Sequence, residues 1–359
     1  MSLNNKKNKN DTLDFENLPE FDDHNLVVFL RDEKSGLNGF VAIHRGGNKF
    51  PAFGATRLWD YESRTDALRD ALRLSRMMSY KNASAGIKYG GGKAALIMPK
   101  GKFSKVKLLK AYTEELNRLG GKFITGTDVG LSQDDLTKMM KTTKYLVGSK
   151  RNPEYSTAVG LFYSLQAAFK QTFGNESIEG HTFAIQGVGK VGGELLKLIY
   201  KDAKQIYVAD INKATLAKVK KQFPNVEVVD TKKIHMQKVD VFVPCALSRA
   251  LNSKTIPKLK CKIVVGSANN QLENSQAAID LHKRGILYCP DYVVNAGGLI
   301  AVVDEYEHNG TMDAKRLEDR IFGIKARLTK ILKESKKKNV SPHVVADNLA
   351  LKILKKNGR

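Results

Sequence analysis

Residues 181–192 read HTFAIQGVGKVG, and the fold is decided there. The run 181–186 is apolar at its centre, the pattern of a short buried strand, and apolar residues at helical spacing continue to about residue 200. Between them lies Gly187-Val188-Gly189-Lys190-Val191-Gly192, a GxGxxG at a strand-to-helix junction. In that setting Gly187 permits a tight turn, Gly189 lets backbone approach a pyrophosphate, and Gly192 lets helix and strand pack closely, while the helix N-terminus attracts phosphate. The motif alone is weak. Asp210 strengthens it: it follows the next strand, roughly 20 residues on, where a carboxylate accepts from adenosine ribose hydroxyls and repels a 2′-phosphate. NAD is therefore expected rather than NADP, held by the six loop residues, Asp210 and the adjoining Ile211.

Working outward, residues 205–209, 226–229, 239–243, 262–265 and 286–288 are further apolar runs separated by helical or turn segments. Near-continuous apolar strands of this kind belong to a parallel sheet covered on both faces, so residues 151–334 are expected to form a doubly wound, Rossmann-type domain. Ligands in such sheets bind beyond the carboxyl ends of the strands. That places Cys245, Ala246, Ala268, Asn270 and Asn295 near the nicotinamide. Residues 1–150 alternate strand-like runs (25–30, 39–44, 94–98, 122–124, 145–147) with helical patterns, which predicts a second α/β domain for substrate binding and oligomerisation. A polar stretch at 148–153 is a plausible hinge before a helix over 157–169. Amphipathic helices over 317–331 and 344–354 close the chain, with about 335–359 expected to pack back on the first domain. The fold class is α/β in two domains with a cleft between them.

The 359 residues are 42% hydrophobic and 27% charged, which excludes a disordered chain and suits about two domains. No stretch nears the roughly 18 apolar residues of a membrane helix, and residues 1–10 lack the apolar core of a secretory signal, so a cytoplasmic protein is expected. Cys245, Cys261 and Cys289 are odd in number and widely spaced, and the seven histidines show no HExxH grouping, so neither a disulfide framework nor a metal is expected. A net charge of +23 raises nucleic-acid binding as a reading. The lysines are dispersed at polar positions, however, with local runs at 6–9, 100–110, 336–338 and 352–356. They read as a solvated surface whose field also attracts anionic cofactors and substrates. A polyanion-binding protein on a reused enzyme fold is the remote alternative.

Two lysine segments remain, Tyr80-Lys81-Asn82 and Gly90-Gly91-Gly92-Lys93. A P-loop fails, because it needs Gly and Ser/Thr where Ile87 and Ala94 stand. Lysines brought together in a dry cleft would lose pKa through repulsion and desolvation, making one a usable base. Exposed lysines on a glycine-rich loop fit the same residues.

The segments PAFGATRLW (51–59), DALRLSRMMSYKNASAGIKYGGGKA (70–94), FITGTDVG (123–130), AIQGVGKVG (184–192), VADIN (208–212), PCAL (244–247), GSANNQLEN (266–274) and PDYVVNAGGLI (290–300) resemble the glutamate/leucine/phenylalanine/valine dehydrogenases, most of all the leucine and phenylalanine branch, with likeness to a tryptophan-accepting branch. The resemblance runs in order over about residues 25–355. It implies NAD-dependent oxidative deamination of an L-amino acid to a 2-oxo acid and ammonia, the reverse amination, and a homo-oligomer. By motif, Lys81 matches the lysine holding the substrate carboxylate, Lys93 the general base and Asp128 its acid/base partner. Gly54 and Ala55 match the floor, and Thr157, Asn270 and Asn295 match polar groups near nicotinamide and substrate. The side-chain pocket would be lined by Phe53, Gly126, Leu299 and Val302. None is charged, so a second substrate carboxylate would be buried unpaired, and apolar substrates are expected, branched-chain and aromatic, with an aromatic-specific enzyme as the alternative. Ala55 stands where many relatives have Gly, Thr127 where many have Glu, Ser248-Arg249 where many have Gly-Gly, and Ala301 where many have Asn. A 2-hydroxy-acid dehydrogenase, which commonly pairs a His base with an Arg clamp, is disfavoured because no His occupies a matching loop. Closure of the cleft would pivot near 148–153.

Overall fold

The structure is a computed structural model that describes residues 15–148, 152–246, 248–311 and 313–356. The basic run 6–9, the centre of the expected hinge at 149–151, Leu247 of the PCAL segment, Met312 and residues 357–359 lie outside the described residues. Contacts divide the chain into two units. One comprises the residues up to Met78 together with Gly90–Leu146; the other comprises Ser79–Tyr89 and the chain from Val147 onward. The sequence reading drew one boundary at residue 150.

The first unit runs β1 (Leu26–Asp32), β2 (Leu37–Ile43), β3 (Ala52–Trp59), α1 (Arg64–Ser84), β4 (Gly90–Ile97), α2 (Lys105–Arg118), β5 (Phe123–Thr127) and α3 (Gln133–Met139). Its five-stranded sheet has the order β1-β2-β4-β3-β5, antiparallel from β1 to β4 and parallel from β4 to β5. Alternation assigns the two faces. Ala52 and Leu58 of β3, Ala94 of β4 and Phe123 of β5 pack with Leu109, Tyr112 and Leu116 of α2. On the other face Phe40, Ala42 and Ala95 pack with Ala67, Leu68, Ala71 and Leu72 of α1. Two strands exceed their sequence signal. β3 passes through Gly54, Thr56 and Arg57, which blur its period, and β4 begins at Gly90 rather than 94. The GGG run is therefore strand and not loop. A Cβ on Gly90 would meet Arg45 O at 1.7 Å, and one on Gly92 would meet the Phe123 ring at 2.7 Å. The expected strand at 145–147 is a single bridge, Thr125↔Leu146.

The second unit contains α4 (Pro153–Phe173), β6 (Thr182–Gln186), α5 (Lys190–Ile199), β7 (Gln205–Ala209), α6 (Lys213–Gln222), β8 (Glu227–Val228), β9 (Val241–Pro244), β10 (Ile263–Val264), α7 (Ser275–Lys283), β11 (Leu287–Tyr288), α8 (Asp291–Val294), α9 (Gly297–Glu307), α10 (Ala314–Lys338) and α11 (Pro342–Lys356). The strands form a parallel sheet of order β11-β10-β9-β6-β7-β8, the doubly wound arrangement expected, whose order reverses at β6 and β9. Asn152 caps α4 by accepting from Tyr155 N, and Pro153 opens it, so the helix starts four residues before the expected 157. In α11, Ala350 and Leu354 pack with Ala83 and Tyr80 in the last turns of α1, a segment grouped with this unit. Among the described residues no helix is long and apolar enough to cross a membrane, and no group of three His, Cys, Asp or Glu side chains is placed to hold a metal.

Candidate active site

Register assembles one face of the first sheet. Ala55 of β3 pairs with Lys93 of β4 on one side and Gly126 of β5 on the other. Side chains two apart share a face, so Phe53, Ala55 and Arg57 line it with Lys93, Gly126 and Asp128. Asp128 N donates to Thr56 O at 2.9 Å, carrying the ladder past the end of β5. Gly54, expected on the floor, belongs to the opposite face, where a Cβ would come 3.3 Å from the Phe123 ring and 1.7 Å from Gly92 O. It can offer backbone alone.

Lys93 is buried, at 5% exposure, and its Nζ donates to Asp128 Oδ2 at 2.6 Å. Burial pushes the ammonium pKa down against the pull of Asp128. The Asp128 carboxyl is raised by burial but lowered more by Lys93 and Arg57, to about 2. The charged form of Lys93 thus depends on its neighbours, the condition for a lysine that gives up a proton when they change. The sequence reading missed Arg57, whose Nε lies 3.1 Å from Asp128 Oδ2 and whose Nη1 lies 2.9 Å from Asp70 Oδ2. Its signal was the period of two from Ala55, legible once β3 is a strand.

In the second unit the GxGxxG loop forms the strand-to-helix turn expected between β6 and α5. Gly187 adopts φ +92°, where an L side chain is strained, and a Cβ there would lie 2.6 Å from Ala246 Cβ. A Cβ on Gly192 would lie 2.0 Å from Gly187 O, whereas one on Gly189, the N-cap of α5, would meet nothing within 4 Å. Asp210 Oδ2 accepts from Val188 N at 3.0 Å and Oδ1 from Asn212 N at 2.9 Å, fixing the carboxylate beside the loop. Ile211 is exposed at 92%, and Lys190 Nζ bonds Glu154 at 3.0 Å. Val188 is buried, and Val191 packs partly buried against the same core.

Beyond the strand ends, Cys245 N donates to Gln186 O and Ala268 N to Pro244 O. Burial pushes the Cys245 thiol pKa up. Asn270 takes a left-handed φ of +52°. Asn295 is buried; its Nδ2 donates to Ser267 O at 3.1 Å and Asn269 Oδ1 at 2.9 Å, and its Oδ1 is an unsatisfied buried acceptor. Thr157 Oγ1 donates to Pro153 O at 2.7 Å and accepts from Gly298 N at 3.1 Å, tying α4 to α9, which carries half-buried Leu299 and Val302 one turn apart. Gln271 and Asp291 were missed by the sequence reading: Gln271 Nε2 donates to Gly266 O and Ala268 O, and its backbone N donates to Asp291 Oδ2, holding the 266–271 loop. Lys81 lies in the last turns of α1, within this unit. The open side of Gly189, the fixed Asp210 and the orphaned Asn295 Oδ1 fit a nicotinamide dinucleotide.

Comparison with known proteins gives the family. The model of the Glu/Leu/Phe/Val dehydrogenase dimerisation domain matches residues 24–145, and that of glutamate/leucine/phenylalanine/valine dehydrogenase matches 148–215 and 202–357. Leucine dehydrogenase of Bacillus subtilis (strain 168) is 38% identical over 335 residues, covering 91% of this chain and 90% of the relative. Phenylalanine dehydrogenase of Lysinibacillus sphaericus is 42% identical over 292 residues, covering 79% and 76%. The crystal structure of L-tryptophan dehydrogenase from Nostoc punctiforme superposes with a TM-score of 0.82 at 38% identity, covering 94% of this chain and 97% of that one. The chain belongs to the glutamate/leucine/phenylalanine/valine dehydrogenase family and is an amino-acid dehydrogenase by that membership.

Proposed function

We propose that the protein catalyses NAD-dependent oxidative deamination of an apolar L-amino acid to its 2-oxo acid and ammonia, and the reverse reductive amination. The observation that carries this reading is the buried Lys93 to Asp128 bond of 2.6 Å, set beside Ala55 and Gly126 on one sheet face. When bound, NAD accepts the hydride from the substrate Cα. Lys81 holds the substrate carboxylate. Asp128, a carboxylate at rest, takes a proton from the substrate ammonium; neutral Lys93 takes one from the water that adds to the iminium carbon, Asp128 gives its proton back to nitrogen, and ammonia leaves as the hydroxyl proton of the carbinolamine is lost to solvent. Asp210 favours NAD, since its carboxylate, held by two backbone donors, would face a 2′-phosphate in NADP. Phe53, Gly126, Leu299 and Val302 carry no charge, which supports an apolar substrate. The reading also takes the protein as cytoplasmic and homo-oligomeric, the latter supported by the dimerisation-domain match.

The test follows NADH absorbance with NAD or NADP and a panel of L-amino acids, beside a Lys93→Ala control. Turnover on Leu, Val, Phe or Trp with NAD, lost in the control, supports the proposal. A preference for Glu or for NADP, or full activity of the control, overturns it.

A further inference from the structure

Arg57 has no part in the chemistry above, yet it is tied into its centre. The Lys93 and Arg57 contacts converge on one oxygen, Asp128 Oδ2, at 2.6 Å from Nζ and 3.1 Å from both Nε and Nη2. Arg57 is itself gripped from behind. Its Nη1 donates to Asp70 Oδ2 at 2.9 Å; that oxygen accepts from Tyr61 OH at 2.7 Å, and Asp70 Oδ1 accepts from Arg73 at 2.7 Å. Arg57 and Asp70 are both largely covered. The order Arg73, Asp70, Arg57, Asp128, Lys93 alternates in sign and crosses from α1 over β3 to β5 and β4.

The geometry points to Arg57 as a positioning residue that pins Asp128 by Oδ2 and competes with Lys93 for that oxygen, so that Lys93 can release its proton without leaving the carboxylate unpaired. A lysine facing a carboxylate alone holds its proton tightly, because both ions stabilise each other in a poorly hydrated site. The planar guanidinium, always charged, supplies a permanent second partner. The charged groups around Lys93 act accordingly: Asp128 and Asp70 favour its protonated form, while burial and Arg57 oppose it. Asp70, with Tyr61 and Arg73, fixes where the Arg57 charge sits.

This inference rests on Lys93 being the base, and the experiment separates the two. The pH dependence of kcat/KM for oxidative deamination is measured for wild type, Arg57→Met, Arg57→Gln, Arg57→Lys and Lys93→Ala, with NADH fluorescence titration as a check on folding. Arg57→Met and Arg57→Gln are expected to move the acidic limb up by about one pH unit, with roughly tenfold loss at neutral pH recovered in alkali, while Arg57→Lys keeps the limb in place at reduced kcat. Arg57→Gln, whose amide falls about where Arg57 Nε meets Asp128, carries the test if Arg57→Met does not fold. An unshifted limb in the uncharged variants, or an equal loss at every pH in all three, overturns the role of Arg57. An active Lys93→Ala overturns the underlying reading instead.

Discussion

Lys93 Nζ lies 2.6 Å from Asp128 Oδ2 although the two residues reach that meeting from different strands, β4 and the end of β5, separated in the sheet by β3. The small residue between them, Ala55, leaves the space above the central strand open for the lysine to span. Removing one partner of such a buried pair leaves the other uncompensated. In Asp128→Asn the burial of Lys93 is no longer opposed by that charge, so the lysine deprotonates at lower pH than in wild type. Loss of the group that returns a proton to nitrogen is expected to cost at least about 10²-fold in kcat. Steady-state kinetics across pH, with NADH affinity unchanged, is the check; wild-type turnover would take Asp128 out of the chemistry.

Two glycines of the GxGxxG loop, Gly189 and Gly192, predict two different phenotypes. Gly192→Ala drives a methyl to 2.0 Å from Gly187 O, so the strand-to-helix junction must shift and the melting temperature must fall. Gly189→Ala meets nothing in the chain, so folding is untouched and the cost appears where a pyrophosphate needs backbone contact. Thermal melts and NADH titrations of both variants are expected to diverge: stability lost in Gly192→Ala, affinity lost tenfold or more with normal melting in Gly189→Ala. Equal affinities for Gly189→Ala and wild type would mean that phosphate does not approach this loop.

The parallel sheet of the second unit was legible because its strands are apolar runs with turn residues between them, and GxGxxG marked the junction of β6 and α5. The first unit was harder to read. β3 hides an aligned face behind Gly54 and Thr56, and the start of β4 hides behind a glycine run in which Gly90 leaves room for Arg45 O and Gly92 for Phe123, needs that exist only once the chain has folded. The motifs therefore picked out Lys93 and Asp128 while leaving Arg57 unseen, because its period of two from Ala55 has meaning only once β3 is known to be a strand. The face taken by Gly54 was hidden for the same reason: which face a strand residue takes depends on register. The Gln271 and Asp291 clamp is likewise a contact between distant loops, with no local pattern to announce it.

Side-chain preference is expected to turn on Gly126. It shares the register row of Ala55 and Lys93, next to the fully covered Phe53. A methyl added by Gly126→Ala takes volume from that face without charge. Aromatic substrates are expected to lose kcat/KM by about 10- to 100-fold relative to leucine, the scale set by one methyl group in an apolar pocket. The ratio of kcat/KM for Phe and Leu in the two proteins is the measurement, and an unchanged ratio would place the side-chain pocket elsewhere.

His44 makes the first unit sensitive to acid. The ring is 1% exposed, with Nε2 3.0 Å from Asp22 Oδ2, and burial together with Arg45 and His24 pushes its pKa to about 3 despite the pull of Asp22. An unfolded histidine takes its proton near pH ~6.5. Between those values the unfolded chain binds the extra proton, so stability is fully present above pH ~6.5 and drains as pH falls toward 3. His44→Asn should lower the melting temperature at pH 7, since it disturbs a packed site, yet flatten the decline between pH 6.5 and 4. His24, whose pKa burial also lowers, keeps part of the slope in the variant. Thermal melts of both proteins over that range decide the matter: curves that converge toward low pH support the assignment, and parallel curves remove His44 as the source of the acid sensitivity.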